Sequence, residues 1–129
     1  MKFLLSISLI AFFQLQTIEL THFSATALDD SIKLKWIIER NPNVAYFKVE
    51  RSTDNENYVQ VARISAEDNY EFTCIDESPI KGESHYRLRM FEKDGKSTYS
   101  EPILIELGKG KSVFVPTSAK WRSESYTYE

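Results

Sequence analysis

His85-Tyr86-Arg87-Leu88-Arg89-Met90, the turn pair Asp94-Gly95, and the return from Tyr99 to Leu107 decide the fold. Tyr86, Leu88 and Met90 alternate with Arg87 and Arg89, so a strand here has one apolar and one charged face. An Asp-Gly pair between two alternating runs is a strong short-range hairpin signal. A hairpin that is wet on one side must cover its apolar side with a second layer. The rest of the chain supplies strands of the same kind.

Working back from the hairpin, Asp76 to Glu83 holds Pro79 and Gly82 and forms a corner. Before it, Tyr70, Phe72 and Cys74 alternate with Glu71 and Thr73. Tyr58 to Ile64 reads as a strand with Val59 and Val61 inward. Tyr46 to Arg51 sets Phe47 and Val49 against Lys48 and Glu50. Ser31 to Glu39 sets Ile32, Leu34 and Trp36 against Lys33 and Lys35. Ile18 to Leu28 carries Phe23, Ala25 and Ala27 on one face. Asp29-Asp30, Asn41-Pro42-Asn43, Ser52 to Asn57 and Ser65 to Asn69 are the breaks, because short carboxylates, amides and proline stabilise turns. No stretch carries the period of a long amphipathic helix, and no internal repeat is visible. Seven short half-apolar strands predict an all-β, seven-stranded antiparallel β-sandwich, since each inner face needs a second sheet against it.

The two ends differ from the middle. Met1-Lys2 followed by the apolar run Phe3 to Phe13 has the pattern of a secretory signal and is short of the about 20 residues a membrane span needs. Residues 1–17 are therefore expected to be a cleaved signal, cut between Leu15 and Leu20, leaving no membrane span. Residues 18–107 form the sandwich. Residues 108–129 open on Gly108-Lys109-Gly110-Lys111 and are rich in Ser, Thr and Tyr, as expected of a loosely ordered tail or linker. Within it, Val113-Phe114-Val115 could add an edge strand.

Composition bounds the function. The chain has 129 residues, 42% hydrophobic and 27% charged, enough for one globular domain. Its 16 basic and 19 acidic residues give a net charge of -3, which argues against nucleic-acid binding. Cys74 is the one cysteine, so no internal disulfide forms. It shares a face with Phe72 and reads as a small buried hydrophobe. A nucleophilic thiol needs a base beside it, and the one candidate, His85, lies beyond the corner. His22 and His85 lack metal-ligand spacing. Glu67-Asp68 and Asp76-Glu77 read as solvated loop acids, and no phosphate-binding loop or serine elbow is present. No cofactor, metal or catalytic residue is expected.

Leu34-x-Trp36, Tyr46-Phe47-x-Val49-Glu50-Arg51-Ser52-x-Asp54, Ile80 and Gly82 before Tyr86-Arg87-Leu88, Asp94-Gly95 and Tyr99-Ser100 together resemble a fibronectin type III domain. The match looks closer to a bacterial variant, the fibronectin-III-like domain of secreted bacterial proteins, which often precedes a sorting domain for type IX secretion. The resemblance spans Leu20 to Leu107. It implies an immunoglobulin-like sandwich, no catalysis, and a secreted, periplasmic or cell-surface location. The tail of this chain is not such a sorting domain, so the resemblance does not extend to that export route. The resemblance also implies a tyrosine corner, in which the Tyr86 hydroxyl ties to backbone of the preceding corner.

Leu34, Trp36, Phe47, Val49, Phe72, Tyr86 and Leu88 are the expected core. Arg87, Arg89 and Phe91 line the outer side of the hairpin, and Lys33, Lys35, Tyr46 and Lys48 also point outward. Tyr46, Arg87, Arg89, Phe91 and Trp121 are the candidate binding surface, an aromatic set flanked by long basic chains. The competing reading is a solvated face with cross-strand Lys/Glu and Arg/Glu pairs. The expected function is a non-catalytic, exported binding or spacer module, a monomer whose partner is a protein or a cell-surface glycan. The alternative is a free-standing carbohydrate- or protein-binding factor that uses exposed aromatics. Edge strands offer a second contact route.

Overall fold

The computed structural model describes residues 18–107, 112–115 and 121–123; the expected signal segment 1–17 lies outside them. The strands are β1 (Leu20–Ala27), β2 (Ile32–Ile38), β3 (Val44–Ser52), β4 (Val59–Ser65), β5 (Glu71–Asp76), β6 (Glu83–Glu92), β7 (Ser97–Tyr99), β8 (Ile103–Glu106), β9 (Ser112–Val115) and β10 (Arg122–Ser123). No described residue is helical. All pairings are antiparallel. The first sheet has the order β5-β2-β1-β9, and the second has β10-β7-β6-β3-β4 with β8 also on β6. The protein is thus an all-β, two-sheet antiparallel sandwich.

The inner faces are set by the period-2 pattern. Ile32, Leu34, Trp36 and Ile38 are buried in β2 while Lys33 and Lys35 are exposed. Tyr86, Leu88 and Met90 are buried in β6. Leu34, Trp36, Phe47, Val49, Phe72, Tyr86 and Leu88 all belong to one hydrophobic cluster. The sheets meet through three rings. Trp36 stacks on Phe72 at 5.5 Å and meets Phe47 of the other sheet edge-on at 5.5 Å. Phe47 and Phe72 are 4.8 Å apart. Such ring pairs contribute about 0.5–1.5 kcal/mol each beyond their buried area.

Among the described residues ten strands replace the seven expected, for two reasons. The tail adds β9 to the free edge of β1 and β10 to the edge of β7; its residues 108–111, 116–120 and 124–129 lie outside the described ones. The return strand of the hairpin is also broken. Tyr99 pairs Arg89, but Ile103 pairs Tyr86, so β7 and β8 are separated by a bulge at Ser100-Glu101-Pro102. Two residues of equal parity thereby reach opposite faces: Tyr99 lies outside with Arg89, and Ile103 lies inside with Tyr86. Pro102 has no N–H for the ladder. Ser100 closes the gap: its N–H donates to Leu88 O at 2.9 Å, and its Oγ accepts from Leu88 N–H at 2.9 Å.

A second bulge lies in β4. Ala62 pairs Val49 and Gln60 pairs Glu50, leaving Val61 as the extra residue. Val61, Ala62 and Ile64 pack against the core. Val59, expected inward, is 55% exposed; it ends an edge strand, opposite Arg51. Tyr70 is likewise exposed, just before β5, with the Arg40 guanidinium over its ring.

The tyrosine corner takes a different form from the one expected. The Tyr86 hydroxyl donates to the Asp76 carboxylate at 2.6 Å rather than to backbone. Arg51 Nη1 donates to the same Asp76 Oδ2 at 2.6 Å and to Ser78 O at 3.1 Å, and Ser78 N–H donates to Asp76 Oδ1. Asp76, expected to be a solvated loop acid, is 3% exposed. It ends β5 in the first sheet, while Arg51 and Tyr86 sit in the second, so the triad ties the layers together. Burial and the bond to Asp76 hold the Tyr86 hydroxyl protonated well above the usual tyrosine range.

Candidate binding face

The residues with outward chemistry gather on the exposed side of the second sheet. The register fixes the rows. Tyr46 of β3 stands opposite Phe91 of β6, Lys48 opposite Arg89, and Glu50 opposite Arg87. On the flanks, Arg63 of β4 stands opposite Lys48, and Tyr99 of β7 opposite Arg89. One rung therefore reads Arg63, Lys48, Arg89, Tyr99 across four neighbouring strands. Three cations side by side are unfavourable in a sheet unless something offsets them.

Aromatic rings provide that offset. The Arg63 guanidinium lies over Tyr46 at 3.8 Å. Tyr46 stacks on Phe91 at 4.5 Å, and Lys48 and Arg89 lie over Phe91 at 5.2 and 4.8 Å. Arg87 sits between Tyr58 at 3.7 Å and Tyr99 at 4.0 Å. Arg89 also reaches Tyr99 at 5.0 Å and donates to Ser97 Oγ. Each such contact contributes roughly 0.5–1 kcal/mol where it is partly exposed. Within the belt Arg87 Nε also forms an ion pair with Glu50 Oε1 at 2.8 Å. The expected Arg/Glu cross-strand pairing is therefore present at this rung, and stacking also orients Lys48, Arg63 and Arg89.

The candidate residues divide. Tyr46, Arg87, Arg89 and Phe91 come together in the belt. Trp121 does not join them; its ring packs against the core, 6.4 Å from Phe47, on the inner side of the sheet. Lys33 and Lys35 point outward from the first sheet, on the opposite side of the sandwich from Lys48. Sequence reading missed Tyr58, Arg63, Tyr99 and Glu50 as members. Alternation marked the outer positions of β3 and β6, but the neighbours across strands follow from register and from the two bulges.

The belt is bordered by the loop Ser52 to Asn57. Asp54 Oδ1 accepts from the N–H groups of Asn57 and Glu56 at 2.8 and 2.9 Å and from Ser52 Oγ, while Oδ2 accepts from Asn57 Nδ2. These bonds, led by those from Asn57, hold its carboxyl well below the usual carboxylate range. Asn55, in the left-handed region at φ 62°, accepts a hydrogen bond from the Tyr58 hydroxyl. The loop thus positions the ring on which Arg87 stacks.

Cys74 and His85 do not form a reactive pair. Cys74 is 7% exposed in the core, and burial, reinforced by Asp76, pushes its thiol up rather than down. His85 sits on the outer side of β6, in the other sheet, opposite Ser52 and Leu104. His22 shares a 2.9 Å hydrogen bond with Ser24 Oγ on β1. Among the described residues no three His, Cys, Asp or Glu side chains could hold a metal ion together. No protein-family model matches the chain, and the comparison with curated proteins finds no match.

Proposed function

We propose that the chain is a non-catalytic, exported binding module of fibronectin type III type that contacts a macromolecular partner through the outer face of its second sheet. The immunoglobulin-like reading is supported by β1, β2 and β5 lying in one sheet against β3, β6 and the β7/β8 return in the other. The fourth strand joins the third. Export is supported by the charged start and apolar run at Met1 to Phe13. The observation that carries binding is the rung Arg63, Lys48, Arg89, where three neighbouring strands present cations at equivalent outward positions. Neutral-sugar stacking is less well supported, because the rings already carry cations or other rings on their faces.

The test compares the mature protein with a Lys48→Ala/Arg63→Ala variant, each immobilised and exposed to a bacterial envelope extract in a surface-resonance measurement. Capture that depends on both cations is the expected result. Equal capture by both proteins, or none by either, would leave the module a spacer.

A further inference from the structure

We propose a second docking site, independent of the belt: the free edge of β5, which takes an extended segment of another protein as an added antiparallel strand. Among the described residues five strands border free edges, β5 and β9 in the first sheet and β4, β8 and β10 in the second. β8 and β9 are four residues long and β10 two, and β4 is bulged at Val61. β5 instead pairs β2 in unbroken register from Glu71 to Asp76. Glu71-Phe72-Thr73-Cys74-Ile75-Asp76 also has neither proline nor lysine. Bulges, short length, proline and lysine are the devices that blunt an edge against strand addition. Ile38 N–H donates to Tyr70 O at 3.0 Å, so the even-numbered residues of β5 turn their backbone groups toward β2. Glu71, Thr73 and Ile75 therefore turn theirs to the open side. All three are exposed, Ile75 by 49%.

Charge and burial define the occupant. Glu67, Asp68 and Glu71 are exposed at one end of this edge, and Glu77 is exposed at the other. A second copy added antiparallel about Thr73 would bring Glu67 and Asp68 of one chain toward Glu77 of the other, and each copy carries a net charge of -3. Like charges so placed are unfavourable. A foreign strand with Lys or Arg at its ends meets the same carboxylates with the opposite sign. Between those ends it needs apolar side chains. On its outer side it passes the exposed Ile75. On its inner side it extends the wall of Phe72 and Cys74 at the margin where β4 approaches β5. There Val61, Ala62 and Ile64 pack against the core but are only partly buried. The occupant is thus apolar through its middle and basic at both ends. Main-chain bonds give such a strand its affinity, and its alternate side chains give specificity.

The experiment gives the mature protein a labelled peptide, Lys-Val-Val-Val-Thr-Val-Lys, whose residues fall opposite Glu77 through Glu71 in antiparallel order. Fluorescence anisotropy reads binding, and amide hydrogen exchange reads the site. The peptide is expected to bind and to slow exchange at Glu71, Thr73 and Ile75, while Phe72 and Cys74, already paired with β2, stay unchanged. Thr73→Pro removes the central outward N–H and leaves the β2 ladder intact, a change that an edge strand tolerates; it should abolish binding. Glu71→Lys keeps every backbone group of the edge and should weaken binding about tenfold through like-charge contact, so the assignment stays testable even if Thr73→Pro does not fold. Lys48→Ala/Arg63→Ala should bind the peptide as the wild type does, so the edge and the belt stand or fall separately. No binding, or protection that does not alternate along β5, overturns the proposal. Equal binding of a peptide with Glu in place of both Lys residues overturns the basic class. Alternating protection that appears with protein concentration and no peptide makes a second copy the occupant, and overturns it as well.

Discussion

Asp76 shows how much one side chain can carry. It sits between the sheets and takes a tyrosine hydroxyl and a guanidinium on one oxygen. Removing one partner of a buried charge pair is costly because the other is left uncompensated. Asp76→Ala is therefore expected to lose about 3–5 kcal/mol, read as a shift of the urea midpoint. Tyr86→Phe leaves the Arg51–Asp76 pair in place and should lose less, about 1–3 kcal/mol. A larger loss from Tyr86→Phe than from Asp76→Ala would show that the Tyr86 hydroxyl, not the Arg51–Asp76 charge pair, dominates the clasp. Asp54 provides a pH test on the opposite side of the ledger of charge: it is exposed but multiply hydrogen-bonded. Its folded pKa lies below the ordinary 3.8, so its contribution is present above the unfolded value and is lost as pH falls toward the folded one. Asp54→Asn should be less stable than wild type at pH 7, and the gap should close as the solution is taken from about pH 5 down to about pH 2. A gap that is constant with pH would refute this.

At the scale of elements, alternation made the strands legible and left their couplings hidden. Ile32, Leu34 and Trp36 reveal β2, and Tyr86, Leu88 and Met90 reveal β6, because each strand is buried on one side only. Asp76 was not legible as buried, since its partners lie 10 and 25 residues away in sequence. The belt was half legible: Arg87, Arg89, Phe91 and Tyr46 follow from period 2, but Arg63 and Tyr99 join them only through registers that two bulges reset. The bulge at Ser100 is itself testable. Its hydroxyl is the acceptor for the buried Leu88 N–H, where a regular ladder would supply a carbonyl. Ser100→Ala should cost about 1–3 kcal/mol, because that N–H would lose its partner. It should also speed hydrogen exchange at Leu88 more than at Arg89. Unchanged exchange at Leu88 would show that the hydroxyl is dispensable.

Across the whole molecule, the stretch after Leu107 does more than trail from the sandwich. The first sheet without β9 would end at β1, and the second without β10 would end at β7. Both would then show rows of unpaired N–H and C=O groups, the template on which strands of other chains add. Trp121 also lays its ring near Phe47, at the margin of the core. The aromatic cluster of Trp36, Phe47 and Phe72 lies within β2, β3 and β5, so a chain ending at Leu107 should still fold. It should lose about 1–3 kcal/mol through the missing Trp121 contact. Its two bared edges should make it self-associate, seen as a concentration-dependent rise in sedimentation coefficient that the full chain does not show. Adding back only β9, by ending the chain after Val115, covers the β1 edge and leaves β7 open. Association that persists in that longer form would place the sticky edge on β7, next to the cationic belt, whereas association abolished by it would place it on β1. A truncated chain that stays monomeric and as stable as the full one would show that neither added strand guards an edge.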